Sequence, residues 1–191
     1  MTYLVTVNTS SIAGTTGSLD FNFNPGPLTS QAASAQVLSF MSNGTLIGGP
    51  SLTGDASGSP PGTVTFDNGT AFNDYFQDFK YGSTLSFDIS LYGPALSSPD
   101  GTSTSGSAFA FSMFSDAAGT MPVLTSDTTD GFAYTVAVNL DGSTTATNYI
   151  TSTTPVSTTP EPSGIMLVGS AALMGMLWFC RSKLTGIPMR R

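Results

Sequence analysis

The sequence predicts a mainly β protein: an antiparallel, jelly-roll-like β-sandwich over residues 1–150, followed by one C-terminal transmembrane α-helix. Three observations predict it. Apolar and small polar residues alternate with period two through the first 150 residues, as expected of strands that bury one face. Turn-forming pairs built on Gly, Pro, Asn and Asp recur between these stripes. The chain then ends in an uncharged apolar run followed by basic residues.

The strands are read in order. Leu4–Asn8 opens the domain, and Leu19, Phe21 and Phe23 alternate with Asp20, Asn22 and Asn24. Ala35–Met41 and Thr63–Phe66 are weaker stretches. Leu85, Phe87, Ile89 and Leu91 form a clear stripe, as do Phe109, Phe111 and Met113. Phe132, Tyr134, Val136, Val138 and Leu140 form another, and Thr144–Ile150 closes the set. Asp141-Gly142 between the last two is a hairpin signal. One stretch breaks the rule: Phe72, Tyr75, Phe76 and Phe79 are spaced as on a helix face, so a short helix or a loop with aromatic plugs is expected there. About eight strands with one apolar face each make two sheets packed face to face, and a closed barrel satisfies the same pattern.

Composition narrows the chemistry. Only 9% of residues are charged, against about 25% in an ordinary soluble protein. Residues 1–160 hold eleven Asp and one Lys, Lys80, for a charge of −10, and residues 161–191 hold Glu161 against four cations, for +3, which sums to the −7 of the whole chain. A domain at −10 repels phosphate backbones, so nucleic acid is not an expected partner. There is no His, and the single Cys is Cys180. No cofactor is expected, since zinc, haem and iron–sulfur sites lack their usual ligands.

Gly164 to Cys180 reads GIMLVGSAALMGMLWFC. As a helix these residues span about 26 Å, the short end for a bilayer crossing. Arg181, Lys183, Arg190 and Arg191 all follow it, and the positive side of such a helix stays in the cytoplasm. The N-terminal domain is therefore expected outside the inner membrane. Residues 151–159, TSTTPVSTT, cannot build a core and read as a Ser/Thr/Pro-rich linker.

Pro160-Glu161-Pro162-Ser163-Gly164, the apolar run and the basic tail over 181–191, in this order, resemble the PEP-CTERM sorting signal of Gram-negative bacteria. The opening VTVNTSSIAGTTGSLDFNFNPGP and the central FNDYFQDFKYGSTLSFDISLYGP resemble a PEP-CTERM family with no known activity. The resemblance implies an exosortase partner that cuts near Pro160-Glu161-Pro162 and a helix that holds the precursor in the inner membrane. It also implies release to the cell surface or beyond, in a setting of exopolysaccharide and biofilm. Such proteins begin with a cleavable signal peptide. Met1-Thr-Tyr-Leu-Val-Thr-Val has no basic or long apolar stretch, so a secretory signal is expected in the frame upstream of Met1. A tail-anchored protein with a cytoplasmic domain is the competing reading, against the positive-inside rule.

Inside the domain no catalytic residue is expected. Glycoside hydrolysis needs two carboxyls about 5 to 9.5 Å apart. Asp20, Asp67, Asp74, Asp78 and Asp88 are available, but there is no Glu before Glu161. Asp67, Asn68, Asp74 and Asp78, with Asn73, are weak calcium candidates whose spacing does not fit an EF-hand loop. Tyr75, Tyr81 and Tyr92 are candidates for a glycan platform. The function expected is a non-enzymatic exported envelope or matrix protein, with an extracellular carbohydrate-binding module as the alternative.

Overall fold

The structure is a computed structural model and describes residues 1–152. The expected sorting motif, transmembrane helix and basic tail over 160–191, and nearly all of the 151–159 linker, lie outside the described residues. Among the described residues no helix is long and apolar enough to cross a membrane.

The described chain is mainly antiparallel β-structure in two sheets with one core. The first sheet contains β1 (Thr2–Asn8), β3 (Ser34–Ser42), β6 (Ala56–Gly58), β7 (Val64–Asp67) and β9 (Thr84–Tyr92), in the order β1-β9-β3-β7-β6. The second contains β2 (Thr16–Pro25), β4 (Thr45–Leu46), β5 (Ser51–Thr53), β8 (Asp74–Lys80), β10 (Ser107–Phe114), β11 (Phe132–Val138) and β12 (Thr144–Asn148). Its order is β12-β11-β10-β2-β8-β4, with β5 also on β8. A single helical turn, α1 (Pro94–Ser97), follows β9.

The alternating stripes form the core. Leu19, Phe21 and Phe23 of β2 face Leu85, Phe87 and Ile89 of β9 across the interior, and all are fully buried. Three rings tie the sheets together: Phe87 packs edge-on against Phe21 at 5.0 Å and against Phe111 at 4.8 Å, while Phe21 stacks on Phe111 at 5.0 Å. Tilted and edge-on aromatic pairs add to the stabilisation from buried area alone. The last strand pair forms as the Asp141-Gly142 signal predicts. Asn139 and Ser143 close a short loop in which Gly142 takes φ +81°, the left-handed residue of a bulged hairpin. Leu140 departs from its stripe and lies in that loop, half-exposed.

The stretch with helical spacing is a correction. Asp74–Lys80 is strand β8, and Phe72 lies before it, exposed. Tyr75 and Phe79 are four residues apart, a spacing shared by one helix face and one strand face. The inward position between them belongs to Gln77, which hides the alternation. Gln77 is buried because its polar atoms are satisfied: Nε2 donates to the carbonyls of Ile47 and Gly48, and Oε1 accepts from Tyr75 Oη. β2 on one side and β4 and β5 on the other supply the ladder that holds this segment extended.

Strands β4, β5 and β6 had no counterpart in the sequence reading. They have two or three residues each, and β5 is exposed throughout. β5 pairs with β8 in the second sheet and β6 with β7 in the first, so the chain crosses between sheets within one turn. Gly54 at that corner has φ +65°, and a Cβ there would sit 2.1 Å from the Phe72 carbonyl oxygen. One side of the sandwich is thus joined by a covalent corner. On the other side β1 and β12 end their sheets, linked by a hydrogen bond between Tyr3 Oη and Thr144 Oγ1.

Candidate functional site

The outer face of the second sheet carries the unusual chemistry. Strand alternation that turns Leu19, Phe21 and Phe23 inward turns Asp20, Asn22 and Asn24 outward. On β10 the cross-strand partners of Asn22 and Asn24 are Ala110 and Ala108, and on β11 the partners of those alanines are Thr135 and Ala137. Ala108 and Ala110 therefore form a low floor, flanked by Asn22 and Asn24 on one side and by Thr135 and Ala137 on the other. The result is an open trough of about 510 Å³. Its two walls stand two strand spacings apart, about 10 Å. Phe132 and Leu140 also line it, and among the described residues no ionisable side chain does.

Beside the trough, Asp20 and Asp74 are diagonal neighbours across β2 and β8, close enough for one carboxyl to hydrogen-bond the other once it is protonated. Burial pushes the Asp20 carboxyl up to about 8, and the neighbouring Asp74 adds to the rise. Burial raises Asp74 as well, and its hydrogen bond with Asp20 partly offsets this. Asp74 Oδ1 is buried with no amide or hydroxyl donor among the described residues. Two carboxylates this close cannot both ionise cheaply, so the pair holds one proton at neutral pH.

An oriented amide relay leads into the pair. The backbone N–H of Asn73 donates to Asn24 Oδ1 at 2.6 Å. That fixes the Asn24 amide so that Nδ2 donates to Asn22 Oδ1, and Asn22 Nδ2 then donates to Asp20 Oδ1. A backbone donor at one end sets the direction of every bond in the chain.

The structure scatters the calcium candidates. Asp67 ends β7 in the first sheet and accepts from Ser34 Oγ, whereas Asp74 and Asp78 lie on β8 in the second. Asn68 is a structural clamp: Nδ2 donates to the Gln31 carbonyl and to Ser107 Oγ, and Oδ1 accepts from the N–H of Ala33. Asn73 is buried, with Oδ1 accepting from the N–H of Asp55 and Nδ2 donating to the carbonyls of Phe23 and Thr70. Among the described residues no three His, Cys, Asp or Glu side chains gather as a metal site would need.

The tyrosine platform does not assemble. Tyr75 and Tyr81 are buried, and only Tyr92 is exposed. Tyr81 is an internal tie that donates to the carbonyls of Ser18 and Phe114, and burial raises its phenol far above the ordinary value. Pro160, Glu161 and Pro162, and the basic cluster Arg181, Lys183, Arg190 and Arg191, lie outside the described residues. Sequence reasoning had both Asp20 and Asp74 but no signal for their contact. Only the β2–β8 register, which sets Asn22 opposite Asp74 and Asp20 opposite Phe76, brings them together.

Compared with protein-family models, with curated proteins and with solved structures, the chain matches none.

Proposed function

We propose that this is a non-enzymatic exported protein of the cell envelope or extracellular matrix, sorted through a PEP-CTERM signal and linked to exopolysaccharide and biofilm. The observation that carries this reading is the order of Pro160-Glu161-Pro162, an uncharged run from Gly164 to Cys180, and the cations Arg181, Lys183, Arg190 and Arg191. Proline on both flanks of Glu161 disfavours helix, a preference that suits a processing enzyme which takes its substrate as a strand. The cations keep the tail cytoplasmic and so put the β-domain in the periplasm of the precursor. An exosortase then acts near the motif and passes the domain to the surface. The reading takes the sandwich as jelly-roll-like, since β1, β2 and β3, and again β7, β8 and β9, alternate between the two sheets.

The experiment is mass spectrometry of the mature C-terminus from host cells with and without the exosortase. Loss of the segment after Pro162 only when the enzyme is present supports the reading. An intact chain through Arg191 in both strains refutes processing.

The trough favours a second reading, a carbohydrate-binding module. Its walls offer Asn22, Asn24 and Thr135 to hydroxyls, its alanine floor admits a flat ring, and its lack of charge suits a neutral glycan. Ala110→Leu fills the floor. Glycan-array binding that this substitution abolishes supports a site here, and binding that survives it places the site elsewhere.

A further inference from the structure

We propose that strand β1 is a self-association edge, pairing antiparallel with β1 of a second copy of this chain across a two-fold axis. The inference stands on the geometry of the open side of the sandwich and is independent of how the protein is sorted.

Among the described residues β1 pairs only with β9, in the register Thr2↔Ser90 to Asn8↔Thr84. The N–H of Thr9, next in that register, donates to the Ser83 carbonyl. Backbone groups alternate sides along an antiparallel strand. The N–H and C=O of Tyr3, Val5 and Val7 therefore point to β9, and those of Thr2, Leu4 and Thr6 point away from it. Among the described residues no other strand pairs with that outer side. It is a row of donors and acceptors whose natural complement is another strand.

Natural edges are usually blunted by Lys, Pro, a bulge or a very short strand. β1 has none of these: it is seven residues of unbroken register, TYLVTVN, without charge or proline. Its side chains suit a copy of itself. Tyr3, Val5 and Val7 are buried, while Leu4 is 45% exposed on the outer face. A two-fold pairing that keeps inward residues opposite inward residues has to centre on a residue, Leu4 or Val5. Centred on Leu4, it sets Leu4 against Leu4 of the other copy, Tyr3 against Val5 and Thr2 against Thr6. The buried stripe then continues across the joint, and the exposed leucine gains a partner.

Charge does not oppose pairing at this edge, although two domains at −10 repel each other. The acid nearest to Leu4 in the register is Asp88 on β9. In the paired state Asp88 and its counterpart stand three strand spacings apart, about 14 Å. That exceeds the Debye length of about 8 Å at physiological ionic strength, so their repulsion is screened.

The test compares self-association of the full-length chain with that of two variants by sedimentation velocity, each first checked for an unchanged thermal melt. Thr6→Pro removes an outward N–H and no bond to β9, so the fold is kept while the edge loses a donor. Leu4→Lys introduces the charge that blunts natural edges. We expect both to weaken association by about tenfold or more. In a Cys180→Ser background, Leu4→Cys joins two chains with a short thiol cross-linker, and Ser90→Cys on β9 does not. A wild-type chain that stays monomeric at tens of micromolar overturns the proposal. Association that both edge variants leave unchanged overturns it as well.

Discussion

Replacing Asp20 by Asn tests the carboxyl pair most directly. In the folded protein Asp20 keeps its proton up to about pH 8. In the unfolded chain an aspartate loses its proton near 3.9. Between these values the folded state holds the extra proton, so stability falls as pH rises through the window and levels off above it. Four pH units at about 1.36 kcal/mol each set a ceiling of about 5–6 kcal/mol. Partial exposure and sharing of the proton with Asp74 reduce this to about 2–3 kcal/mol. Asn carries a permanent N–H that can donate to Asp74 at any pH. The variant should therefore melt about 4–8 °C above wild type at pH 8. Near pH 4 the two should coincide, because wild type is then protonated as well. Asp74→Asn should act similarly, and the double variant should add little, since one proton is at stake. Melting curves between pH 4 and 9 read this out. A wild-type melting temperature that does not fall with pH, or an Asp20→Asn variant less stable than wild type at pH 8, refutes the reasoning.

Other predictions follow from the core and the turns. Phe21→Ala removes the ring that touches both Phe87 and Phe111. It should cost about 3–5 kcal/mol in denaturant unfolding, or prevent folding. Tyr81→Phe strips the hydroxyl from two carbonyls, those of Ser18 and Phe114. It should cost about 1–2 kcal/mol with little change in near-ultraviolet circular dichroism. Asp127 accepts from the N–H groups of Asp130, Thr129 and Phe132, which hold its carboxyl below the ordinary value. The stability it adds is present above the unfolded aspartate pKa and is lost as pH falls through the lowered folded value. The gap between wild type and Asp127→Ala should therefore narrow on acidification, opposite in sign to the Asp20 effect.

The strands that bury bulky side chains on alternate positions could be read from the sequence. Leu85 to Leu91 and Phe109 to Met113 lie as their stripes imply, because exposing such a face to water costs more than any local preference. β8 was misread because Gln77 occupies an inward position, and only a fold that brings the carbonyls of Ile47 and Gly48 to it makes that tolerable. β4 to β6 were missed because strands of two or three small residues carry no period to detect. At the candidate site, the outward direction of Asp20, Asn22 and Asn24 was legible. The contact with Asp74 and the alanine floor were not, since both depend on which strand lies beside which. Register is a long-range property, fixed once the apolar faces of all strands are satisfied together.

The Asn68 clamp has a bearing on how the protein ages. Asn68 precedes Gly69, the neighbour that least hinders the backbone attack on the side-chain amide by which asparagine slowly becomes aspartate. In the native fold three hydrogen bonds hold that amide in place, and they oppose the rotation the attack requires. Once converted, the residue would turn a carboxylate oxygen toward the Gln31 carbonyl and Ser107 Oγ where it had offered N–H donors. The loop that precedes β3 would lose its tie to β10. While the chain is not renewed, this clamp is then a clock: it runs slowly while the fold holds and faster after each opening of that loop.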